Sequence, residues 1–138
     1  MPWYFYALIS AVAAAATAIL AKLGVEGVPS NVATAIRTVV VLVLAWAVVF
    51  STGDHRVLPG VSRRTLVFLT LSGIATAVSW LAYFRALQAA PASLVAPIDK
   101  LSLPFTILLA SLVLREAVTL PQIAGVALMV VGALLATR

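Results

Sequence analysis

Asp99 and Lys100 stand side by side in an otherwise apolar run, Ala92-Ser93-Leu94-Val95-Ala96-Pro97-Ile98-Asp99-Lys100-Leu101-Ser102-Leu103-Pro104. A carboxylate and an ammonium in such a segment are costly unless paired or wetted. Pro97 and Pro104, seven residues apart, each remove a backbone donor and loosen the helix that carries the charges. Charges on a kinked apolar helix suit the binding of a polar solute or a coupling ion. Arg37, in the second apolar run, is the natural partner for Asp99. Both charges lie about six residues into helices that start on the same side, about 9 Å deep at about 1.5 Å per residue. Two readings are open. One is an ion pair that fastens the second helix to the fourth. The other is a binding or coupling site that also uses backbone groups freed near Pro97 and Pro104.

Further candidates flank this pair. Trp80 and Tyr83 share a helix face, suited to stacking on a substrate such as a cation, or to an interfacial belt. Lys22, Arg37, Arg85 and Lys100 gather towards one end of the bundle against Glu26 and Asp99. That balance attracts anionic or zwitterionic solutes, and the same basic chains can reach singly for lipid headgroups. Gly125 and Gly132 lie on one face of the last helix, where small residues permit close packing within the chain or at a dimer seam.

No catalytic constellation is present: no nucleophile–base pair and no phosphate-cradling glycine loop. The chain has no cysteine and a single histidine, His55, which reads as a solvated loop residue, so neither a metal site nor a cofactor is expected. Sixty-four per cent of the 138 residues are hydrophobic and 9% are charged, against about 45–50% and about 25% in soluble domains. A soluble fold of this length could not hide that surface, so lipid must be part of the solvent. The net charge of +5 comes from basic residues scattered at helix ends, with no aromatic–basic groove. Membrane lipid is therefore the expected partner, and nucleic acid is not.

These charges and rings are positioned by five apolar spans, expected at about residues 3–23, 31–50, 65–87, 93–114 and 121–136, each near the roughly 20 residues needed to cross a bilayer. Trp3, Tyr4, Phe5 and Tyr6 read as an interfacial belt on an uncleaved first span. The longest loop is Ser51 to Arg64, and Pro121 suits the first turn of the last helix. Short connections make successive helices antiparallel neighbours. The expected fold is an all-α antiparallel bundle forming one transmembrane domain over residues 1–138, a multi-pass protein of the cell membrane. An odd number of spans puts the termini on opposite sides. Arg56, Arg63, Arg64 and Arg115 fall on the side of the N-terminus, and Lys22, Arg85 and Arg138 on the other, with Arg37 and Lys100 deeper. So even a distribution gives almost no orientation signal, and a chain without one can insert both ways. If orientation is unique, Arg63-Arg64 favours an N-terminus inside and a C-terminus outside.

From Tyr83 onward the residues spell a pattern: Tyr83-x-x-Ala86-Leu87, Ala92-Ser93-Leu94-Val95-Ala96-Pro97-Ile98, Pro104, Leu108-Leu109-Ala110, Leu114-x-Glu116, Gln122, Gly125 and Gly132. Trp3, Lys22-x-Gly24 and Arg37 extend it towards the N-terminus. This resembles the repeat unit of the drug/metabolite transporter superfamily, the EamA-type domain. Most such proteins resemble two five-helix units in tandem with inverted halves; this chain resembles one unit. Asp99-Lys100 departs from the family's pattern, usually apolar there, and resembles the short single-unit members. The resemblance implies export or exchange of small solutes, often metabolites, amino acids or drugs. A single unit needs an inverted partner to supply the second gate, which a homodimer, antiparallel in its simplest form, provides. The expected site then comprises Arg37, Trp80, Tyr83, Asp99 and Lys100. The alternative is a non-transporting membrane subunit or scaffold assembled with another membrane protein.

Overall fold

Where no water is available, every backbone N–H and C=O needs an internal partner, and this chain supplies them through helices. The computed structural model describes residues 2–138, and among these no strand occurs. The helices are α1 (Trp3–Gly24), α2 (Ser30–Thr52), α3 (Arg63–Ala89), α4 (Ala92–Asp99), α5 (Ser102–Leu109) and α6 (Leu120–Ala136). Four stretches of 22, 23, 27 and 23 residues are long and apolar enough to cross a membrane, the last being Ala92–Leu114, which contains α4 and α5. The 17 residues of α6 rise about 26 Å, the lower end of spanning length. The chain is thus an all-α membrane protein of about five helices. Its large apolar side chains point outwards in numbers no aqueous fold tolerates, and Leu87 is the one large side chain fully buried among the described residues.

The chain divides into two compact units, residues 21–88 and residues 1–20 with 89–138. In the first, α2 and α3 form an antiparallel hairpin. Phe84 and Leu87 on α3 are buried, as are Val25, Ser30 and Thr34 around the start of α2. Thr34 and Thr38 donate to the carbonyls one turn back, Ser30 and Thr34, so their hydroxyls are satisfied within the helix. Ser62 caps α3, accepting from the Thr65 N–H at 3.1 Å.

The long loop is more ordered than its composition suggests. The α2 helix runs on to Thr52, Gly53 turns the chain at φ 80°, and Asp54–Gly60 forms a 3-10 turn. Thr52 donates to Asp54 Oδ2 at 2.6 Å across the start of this turn. His55, expected in solvent, instead lies half-buried with its ring 5.4 Å from that of Phe50.

In the second unit α6 packs against α4 and α5. Its start is fixed by Gln122, which accepts from the Thr119 N–H at 2.8 Å and from the Thr119 hydroxyl at 3.0 Å, with Pro121 in the first turn. Beyond α5 the helix widens into a π-turn over Ala110–Leu114 and stops at Arg115, whose φ of 56° is left-handed. An L-residue there costs about 1–2 kcal/mol, which glycine avoids at some cost in unfolded-chain entropy. Arg115→Gly is expected to raise stability by up to about 1 kcal/mol in a denaturant titration in detergent, whereas β-branched Arg115→Val lowers it.

Candidate functional site

The prolines act on the helix as their chemistry requires. Pro97 lies within α4, and Pro104 in the first turn of α5 has no N–H to offer the Lys100 carbonyl. The Leu103 N–H takes that carbonyl instead at 3.0 Å, three residues back, and the Leu101 N–H reaches Ile98 in the same way. The result is a tightened turn at Lys100-Leu101, both residues still right-handed (φ −69° and −63°), which divides the expected helix over residues 93–114 into α4 and α5 ahead of a π-turn. Asp99 ends the first half and Lys100 caps it, so both charges sit at the break. Their ion pair is 3.4 Å long, with the side chains 37% and 58% exposed respectively. The partner of Asp99 is therefore its own neighbour, and Lys100 places positive charge at the C-terminal, electronegative end of α4.

In the hairpin unit the Arg37 guanidinium carbon lies 4.0 Å from the centre of the Trp80 ring and 5.6 Å from that of Phe84. Arg37 and Trp80 are half-buried, and Phe84 is buried. The sequence pairs Trp80 with Tyr83; the arginine uses Trp80 with Phe84, four residues on and also on one helix face. Tyr83 meets Phe84 edge-on, with ring centres 6.4 Å apart. Phe84 is the member that sequence reasoning missed. Its signal was present as an i, i+4 aromatic pair opposite a lone arginine. The cation over Trp80 is thus supplied by the protein itself.

The same end of the hairpin is stapled by polar side chains. Lys22 donates to the Leu87 carbonyl at 2.6 Å, and Gln88 donates to Val28 at 2.6 Å and to Val25 at 3.4 Å. Leu87 lies in the last turn of α3, where backbone carbonyls lack helical partners and attract a cation. Lys22 is here a helix clamp. A hydrogen bond from a charged group contributes about 1.5–3 kcal/mol, so Lys22→Met is expected to lower the unfolding midpoint in detergent by that free energy, while Arg85→Gln, at an exposed position, leaves it unchanged.

Gly125 and Gly132 lie on α6, the first half-buried and the second exposed. A Cβ built at either would meet nothing within 4 Å. The close approach that small residues permit is not made there by the described residues of this chain.

The EamA-like transporter family matches the chain over residues 1–138. A protein of Sinorhizobium sp. described as an uncharacterized transporter in the cobO 3′ region is 48% identical over 133 residues, 96% of this chain and 94% of that protein. An uncharacterized protein of Methanocaldococcus jannaschii is 30% identical over 73 residues, 53% of each chain. No solved structure matches.

Proposed function

Because the chain belongs to the EamA-like transporter family, and is thereby an integral membrane transporter of the drug/metabolite superfamily, we propose that it is a secondary transporter that exports or exchanges small metabolites or drugs across the cell membrane as a dimer of five-helix units. Members of this family are transporters rather than enzymes.

The observation that carries this reading is the tightened turn at Lys100-Leu101 that divides α4 from α5. Broken helices in transporters bind substrates and coupling ions with charged ends and unwound backbone. Asp99 and Lys100 stand at such a break and are half-exposed, so they are open to solute and water. Arg37, Trp80 and Tyr83 carry substrate recognition on the hairpin, and Asp99 and Lys100 carry binding or coupling on the broken helix. Pro97 and Pro104 maintain the break.

Dimer operation is supported by three features. The Sinorhizobium relative is itself about one unit long. The open α6 face at Gly125 and Gly132 suits close packing against another helix, such as one from a second copy. The even spread of basic residues permits insertion in both orientations, and hence an antiparallel pair in which each copy supplies the gate the other lacks. Fusing to Arg138 one reporter active only outside and, separately, one active only inside tests this arrangement. Comparable signals from both are expected. Signal from one alone would exclude the antiparallel homodimer.

A further inference from the structure

We propose that Arg37, seated on Trp80 and Phe84, is the docking point for an anionic group, a carboxylate or a phosphate. This inference rests on the transporter reading for its purpose: it assigns the charge class of the solute that the hairpin accepts.

The π-face of Trp80 is a natural seat for a cation, and at 4.0 Å Arg37 fills it. A cationic solute would have to displace a tethered guanidinium and then endure its charge. At 4.0 Å the guanidinium carbon is in contact with the indole, a distance at which a guanidinium can stack flat on an aromatic face. Stacking uses the faces of the guanidinium and leaves its edge, which carries five N–H donors in a rigid fork. That fork matches two oxygens of a carboxylate or phosphate.

Arg37 is the eighth residue of α2 and half-buried in an apolar hairpin. Among the described residues of the hairpin unit no carboxylate or carbonyl accepts from its N–H groups; its contacts there are the two rings. The hairpin's other clamp cation, Lys22, is bonded to the Leu87 carbonyl. Donors at this depth are satisfied by an anion or by water, and an anion that also neutralises the charge is the stronger partner. The rings beneath add a stacking surface for an apolar or aromatic body on the anion.

The test uses Trp80 as its own reporter. Trp3 and Trp46 are changed to phenylalanine, and the full chain is placed in phosphatidylcholine nanodiscs. Three probes of one shape and different charge are titrated: benzoate, benzamide and benzylammonium. Benzoate is expected to shift Trp80 emission saturably, and the other two are not. Arg37→Gln should weaken benzoate binding by about ten- to a hundredfold, and Arg37→Lys should weaken it by less, since it keeps the charge and loses the fork. A parallel series in nanodiscs containing phosphatidylglycerol identifies the source of the anion. An Arg37-dependent shift with that lipid, competed by benzoate, supports a site open to solute and headgroup alike. The same shift without competition supports the anion site with a lipid as its ligand. The proposal is overturned if no anion, solute or lipid, shifts emission in an Arg37-dependent way, or if benzylammonium shifts it as benzoate does. These binding outcomes are independent of flux. Flux without anion binding refutes this inference alone, and anion binding without flux refutes the transporter reading alone.

Discussion

Asp99→Asn is expected to leave the chain folded in the membrane at its normal level and to abolish flux. Asparagine matches aspartate in shape and hydrogen-bonding reach but carries no charge and takes up no proton. The structural cost is small because the partner of Asp99 is the adjacent residue Lys100, at 3.4 Å with both side chains partly exposed. Such a pair contributes about 0–1 kcal/mol and fastens no two helices together. The functional cost is large because a carboxylate at a helix break is the group able to bind a cation or proton there and release it. Protein level and flux measured on the same vesicles separate the two. A loss of level in step with flux would mark Asp99 as structural.

Arg37→Gln is expected to raise the KM for an anionic solute by about ten- to a hundredfold, the equivalent of one charge-assisted contact of about 1.5–3 kcal/mol. The substitution also removes the contact with Trp80 at 4.0 Å, so a stability loss of about 0.5–2 kcal/mol accompanies it. Arg37→Lys distinguishes the two effects. It retains a cation that can approach the ring and recovers part of the stability, but a point charge does not reproduce the two-pronged contact. An effect confined to kcat, or full recovery of KM by lysine, would contradict recognition through the guanidinium fork. A merely structural arginine would change the amount of active protein and leave KM where it was.

The span pattern was legible because hydropathy alone dictates where a chain enters and leaves lipid. The loosening of the helix near Pro97 and Pro104 was legible for a similar reason, since a missing N–H cannot be compensated from outside, but its division into α4 and α5 was not. What hydropathy leaves open is which side of each helix faces which neighbour. In α3 almost every side is apolar, so no polar face marks the outside; the i, i+4 spacing of Trp80 and Phe84 marks a shared face, but not that Arg37 packs on it. The Ser51–Arg64 segment was read as loop because its polar residues and Gly53 signal a turn. The 3-10 turn is accompanied by a hydroxyl–carboxylate contact between Thr52 and Asp54 that composition does not register. Gly125 and Gly132 show the same limit from the other side: their spacing identifies a face capable of close packing without identifying what packs on it.

The most direct test of transport is efflux from liposomes that contain the purified chain and no other protein. The vesicles are loaded with a mixture of small metabolites, a solute or proton gradient is imposed, and mass spectrometry follows what each preparation loses. Wild-type vesicles are expected to lose a small set of solutes that Asp99→Asn vesicles retain. Retention of every solute by wild-type vesicles, as in protein-free ones, would contradict the transporter reading.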